Sequence, residues 1–174
     1  YKTTDAGTTW RKLNSGTTLH LHSVYFIDEN VGFVSSHAMS DCLDADCDKG
    51  SVLLKTINGG DTWTKTFFPE YIRILSLKFF NHLNGIAIIH KKDIPNSRDE
   101  YVATTSDGGL KWNLLDLEIK PYCSGIYFVD NIAFVAGENN QIFKSTDWGQ
   151  TWQTISAPIE SNYDVRNIYF YNEN

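Results

Sequence analysis

Side chains able to do chemistry stand at fixed distances from an aromatic landmark that recurs along the chain. Six positions before Phe26, Phe79, Phe128 and Phe170 stand His20, Arg73, Tyr122 and Asp164. Four positions before them stand His22, Leu75, Ser124 and Arg166. Tyr71, just before Arg73, and Arg98, in the segment 90–100, are candidates for the same face of the repeat. Arginine forks bind carboxylates bidentately. Two carboxylates about 5–9.5 Å apart can cleave a glycosidic bond, and Glu70, Asp93, Glu100 and Asp164 are the acids available for such a pair. His20 and His22 could ligate a metal, although a closed site needs about four ligands. Polar but non-identical residues at equivalent repeat positions are what a binding rim grafted on a repeated scaffold requires.

A second cluster lies in the acidic segment Asp41-Cys42-Leu43-Asp44-Ala45-Asp46-Cys47-Asp48. Cys42 and Cys47 are spaced for a local disulfide in an oxidising compartment. Zinc is disfavoured there, because no second Cys/His pair with ligand spacing lies nearby. Asp44, Asp46 and Asp48 echo a calcium loop. The following Gly50 comes one position late for an EF-hand, and Lys55 stands where the bidentate Glu belongs. Cys123 is the remaining thiol. No firm metal and no cofactor follow from these residues.

The scaffold that must position them is an internal repeat. Thr3-Thr4-Asp5-Ala6-Gly7-Thr8-Thr9-Trp10 returns as Thr56-Ile57-Asn58-Gly59-Gly60-Asp61-Thr62-Trp63, Thr105-Ser106-Asp107-Gly108-Gly109-Leu110-Lys111-Trp112 and Ser145-Thr146-Asp147-Trp148-Gly149-Gln150-Thr151-Trp152. The tryptophans are 53, 49 and 40 residues apart, and the aligned Phe follows each by 16, 16, 16 and 18. The chemistry is that of a tight turn. Asp or Asn accepts backbone N–H groups about two residues ahead, Gly supplies a positive φ, and Trp buries apolar area to pin the turn.

Each unit reads as four short strands, the first complete one as 23–27, 32–36, 52–56 and 62–66, with no competing helical period. Four strands every 40 to 53 residues predict an all-β propeller of antiparallel four-stranded blades. The register gives blades at 18–69, 70–120 and 121–158, strands three and four of another in 1–17, and the first strand of a further blade in 159–174. All belong to one domain, expected to be a partial propeller and a trimmed piece of a longer protein; a closed four-bladed ring is the alternative.

The four turn motifs resemble the BNR or Asp-box repeat of sialidases, sortilin-type receptors and xyloglucanases. The wider pattern, Phe26-Ile27-Asp28 … Gly32-Phe33-Val34 and Phe79-Phe80-Asn81 … Gly85-Ile86-Ala87, resembles the photosystem II stability/assembly factor-like family over nearly the whole chain. The structural Asp-box residues are then Asp5, Gly7, Trp10; Asn58, Gly60, Trp63; Asp107, Gly109, Trp112; and Asp147, Gly149, Trp152. The resemblance implies turns on one face and a binding face opposite, made by the loops at 37–50, 90–100 and 137–141 and by the blade-to-blade links. It implies a non-catalytic scaffold for a protein partner in an extracytoplasmic setting. The alternative is a carbohydrate-binding or sialidase-like glycoside hydrolase propeller, for which Tyr71, Tyr122 and Tyr163 would stack sugars. The Phe-Arg-Ile-Pro element of such enzymes is absent; Ile72-Arg73-Ile74-Leu75 is a loose echo. A net charge of −6 and a pI near 5.3 argue against broad nucleic-acid or anionic-membrane binding. No apolar run approaches the roughly 20 residues of a membrane span.

Overall fold

The computed structural model describes residues 1–37, 51–68, 72–91, 100–115, 125–129, 132–137 and 141–156. Among them every regular element is a strand, and no helix is long and apolar enough to cross a membrane. Two compact units divide the chain, Tyr1–Glu70 and Tyr71–Asn174.

Unit 1 holds β1 (His20–Phe26), β2 (Gly32–His37), β3 (Val52–Thr56) and β4 (Thr64–Phe67), hydrogen-bonded in that order as one antiparallel sheet. An isolated bridge between Lys2 and Arg11 precedes it. Unit 2 holds β5 (Ile72–Phe79), β6 (Gly85–Lys91), β7 (Glu100–Thr105) and β8 (Asn113–Leu114) as one such sheet. Its second sheet is β9 (Ile126–Val129), β10 (Ile132–Ala136), β11 (Gln141–Ser145) and β12 (Gln153–Ser156). The strand order is therefore the one the repeat predicts, with β1 and β4 differing from the expected bounds by two or three residues.

Residue type follows strand position. The middle strands read as nearly unbroken apolar runs, Val52-Leu53-Leu54 and Ile86-Ala87-Ile88-Ile89, because both of their faces are covered. The last strand of the first sheet, Thr64-Lys65-Thr66-Phe67, faces solvent over most of its length. In unit 1, Leu19, Val34, Val52 and Leu54 form one apolar cluster, with Trp63 against it. In unit 2 the two sheets share a core in which Ile86, Ile88 and Val102 meet Ile126, Ala133, Val135 and Phe143.

The Phe and Trp landmarks are in contact. Phe26 meets the Trp63 ring edge-on at 6.4 Å, and Phe79 meets Trp112 at 5.9 Å. The glycine that opens the second strand lies under the same Phe. A Cβ on Gly32 would sit 2.5 Å from the Phe26 ring, and one on Gly85 would sit 2.8 Å from Phe79. In the third sheet Ala133 is register partner to Phe128, and Phe128 instead stacks on Phe80 at 3.9 Å. Two β-bulges interrupt the first strands, at His22 between Leu21 and Ser23 and at Leu75 between Ile74 and Ser76.

Candidate functional site

One end of each sheet is spent on its own turn. Thr3, Thr56, Thr105 and Ser145 donate their hydroxyls to Oδ1 of Asp5, Asn58, Asp107 and Asp147 at 2.7–2.9 Å. The same hydroxyls accept the N–H of Gly7, Gly60, Gly109 and Gly149 at 2.8–3.0 Å. Oδ1 also accepts the N–H four residues on, from Thr9, Thr62, Lys111 and Thr151, at 2.8–3.0 Å. The expectation of a reach of about two residues is corrected here: the carboxylate or amide spans the whole turn. Gly59 N–H then bonds Asn30 O at 2.8 Å, and Gly108 N–H bonds Leu83 O at 2.9 Å, tying each turn to the first hairpin of its sheet.

Of the four tryptophans, Trp10 departs from the expected burial. Trp63, Trp112 and Trp152 are half-buried, but Trp10 is 61% exposed. Trp10 and Trp152 donate Nε1–H to the Gly7 and Gly149 carbonyls at 3.0 and 3.1 Å, while the Trp63 and Trp112 nitrogens are buried without a hydrogen-bond partner.

These bonds fix the charge of the turns. Hydrogen bonds from the Thr9 and Thr151 hydroxyls, ahead of those from the backbone, hold the Asp5 and Asp147 carboxyls down at about 2. At Asp107 the Lys111 N–H is the main cause of a lowered value, since Lys111 offers no hydroxyl. A carboxyl depressed in the fold contributes stability that is complete above its ordinary range near 3.8 and is lost as pH falls through about 2. Asn58 performs the same turn without titrating, donating Nδ2–H to the Thr62 hydroxyl at 2.9 Å. Asp147→Asn is therefore expected to fold and to show a shallower fall of melting temperature between about pH 4 and 2. Calorimetry over that range checks it; an unchanged slope would contradict the assignment.

The strand ends away from these turns carry histidines in unit 1 and an arginine, a histidine and a glutamate in unit 2. His20 and His22 lie at the start of β1 and are exposed, His22 at the bulge, where a side chain is re-aimed. Arg73, half-buried, lies at the start of β5. In register with it stands His90 of β6, and in register with His90 stands Glu100 of β7. Cross-strand partners share a face, so cation, imidazole and carboxylate form one row across three strands. The row joins His90 to residues seen singly in the sequence; pairing the strands outward from the Phe79–Gly85 turn reveals it. Tyr71, Arg98, Tyr122, Asp164 and Arg166 lie outside the described residues, as do Cys42, Cys47, Asp44, Asp46, Asp48 and Cys123. Among the described residues no three His, Cys, Asp or Glu side chains group as metal ligands.

Four-stranded antiparallel sheets, each closing its outer hairpin on the same turn of a hydroxyl with a carboxylate or amide, are blades of a β-propeller. No family model and no curated protein sequence matches the chain. Solved structures do. A YCF48 bound to a D1 peptide is similar at 21% identity and TM-score 0.50, over 79% of this chain and 41% of that one. YCF48 from Cyanidioschyzon merolae is similar at 19% identity and TM-score 0.53, over 83% and 39%. The chain thus spans about two fifths of the length of these propellers.

Proposed function

We propose that the chain is a non-catalytic propeller module that binds a protein partner, in extended peptide form, at the sheet ends opposite the repeated turns. The observation that carries this reading is the row Arg73–His90–Glu100 across β5, β6 and β7. At the turn end, the repeated hydroxyl and carboxylate groups are consumed internally. At the other end, charged and hydrogen-bonding groups stand together on strands, whose rigidity suits recognition. In unit 1 His20 stands at the repeat position equivalent to Arg73, with His22 two residues on, and the sequence offers Tyr71, Tyr122, Arg98, Asp164 and Arg166 as further candidates.

The solved neighbour with a D1 peptide supports a peptide as the class of ligand. The sequence resemblance to photosystem II assembly factors supports a scaffold over an enzyme. The same reading places the protein outside the cytoplasm, supported by the spacing of Cys42 and Cys47. Fluorescence-polarisation titration with that D1 peptide tests the reading, beside a glycan array. Saturable peptide binding that weakens at least about tenfold in Arg73→Ala, the loss of one charge-assisted contact of about 1.5–3 kcal/mol, is expected. Glycan binding or turnover with no peptide binding would overturn it.

A further inference from the structure

The first two strands of unit 1 and unit 2 end on different chemistry. His37, five residues after Gly32, holds the repeat position of His90, five residues after Gly85. It closes β2, and its register partner on β1 is His20. In unit 2 the same pairing sets His90 against Arg73. A guanidinium keeps its charge and has no lone pair to give, so Arg73 and His90 cannot chelate an ion together. The unit 1 pair instead brings two imidazoles to one position of the sheet, and imidazole is the commonest metal ligand among side chains.

Register favours chelation. Cross-strand partners share a face, with Cβ atoms about 4.5–5.5 Å apart. Two imidazoles can close that span on one ion, each nitrogen about 2.0–2.1 Å from it. The backbone on either side is held in place. Beside His20, Leu19 is buried in the apolar cluster, and its N–H donates to Thr17 Oγ1 at 3.3 Å. Beside His37, Ser36 is fully buried, and its hydroxyl donates to Val52 O at 3.4 Å. His20 itself is exposed, so an ion can reach it. The pair also differs from the one that spacing suggests. His20 and His22 would share a face on a regular strand, but the bulge at His22 interrupts the alternation between them. The net charge of −6 favours the approach of a cation.

We propose that His20 and His37 form a binding site for a divalent ion of zinc's class, held by two imidazole nitrogens, with water in its remaining positions. Imidazole selects such ions over magnesium and calcium, which take oxygen ligands. The bound ion sets a positive centre across β1 and β2 at the repeat position where unit 2 carries the Arg73 guanidinium. The site does not depend on the partner-binding reading, and its test contains no peptide.

The probe is zinc chloride, titrated in competition with a chromophoric zinc indicator. The protein is the chain with Cys42, Cys47 and Cys123 changed to Ser, which removes competing thiolates. Zinc is expected to bind where magnesium does not. Its affinity should fall at least about tenfold in His20→Ala and in His37→Ala, no less than the loss of a group that merely orients a ligand. His22→Ala should bind as its parent does. No zinc binding, or equal affinity in the double variant His20→Ala/His37→Ala, would overturn the proposal. Binding that is lost with His22 and kept without His37 would overturn it too. Diethyl pyrocarbonate modification of the unsubstituted chain gives an independent reading if the Ser variant folds poorly. Zinc should slow modification of His20 and His37 and leave His82 unchanged; equal rates with and without zinc at His20 and His37 would overturn the assignment.

Discussion

Gly149→Ala is expected to destabilise unit 2 by about 2–5 kcal/mol in urea unfolding. Two costs combine. Gly149 has φ +82°, where an L-residue pays roughly 1–2 kcal/mol. Its new methyl would also lie 2.9 Å from Ile86 Cδ1 and 3.1 Å from Thr104 Cγ2. Ile86 is fully buried and cannot step aside, so overpacking of about 1–3 kcal/mol is added. Gly7→Ala is the control. Gly7 has φ +92°, yet its nearest neighbour is Trp10 Cζ2 at 3.8 Å, an ordinary contact. Only the backbone cost should appear there. A loss at Gly149 no larger than that at Gly7 would show that the turn glycine is not a sheet-to-sheet contact.

Ile86→Ala is expected to cost about 2–5 kcal/mol, the range for truncating a buried Ile whose cavity cannot collapse. Ile86 sits in the core shared by the two sheets of unit 2 and touches the turn of the second sheet at Gly149. The two substitutions should therefore couple. With the Ile86 side chain gone, a methyl at position 149 has room, and the double variant should lose less than the sum of the singles by about 1 kcal/mol. Strict additivity, read from the same urea curves, would contradict the packing described here.

The architecture was legible because its determinants are local and repeated. Ser/Thr-x-Asp-x-Gly marks a turn wherever it stands, and Phe26, Phe79 and Phe128 keep phase because a strand-one ring packs on a turn Trp or a neighbouring Phe. Less was legible where neighbours decide. The exposure of Trp10 follows from how much of a sheet surrounds it, which the motif does not encode. Ala6 and Trp148 hold φ of 55° and 63° where sister turns place Gly59 and Gly108, and Trp148 meets Phe80 edge-on at 5.0 Å; no sequence rule gives that contact. The bulges at His22 and Leu75 shift cross-strand pairing by one residue, which hides the row Arg73–His90–Glu100 from a reading of single positions. For the candidate site, His20, His22 and Arg73 lie near the starts of β1 and β5, and the row that joins Arg73 and Glu100 through His90 emerges only once strands are paired.

Partner recognition is proposed to belong to the sheet ends away from the repeated turns. Hydrogen exchange of the chain with and without the D1 peptide used as probe tests it directly. Slowed exchange is expected around 20–22, 72–74 and 89–91, with the turns at 57–62, 106–111 and 146–151 unchanged. Slowed exchange confined to the turns, or none at peptide concentrations that saturate YCF48, would contradict it.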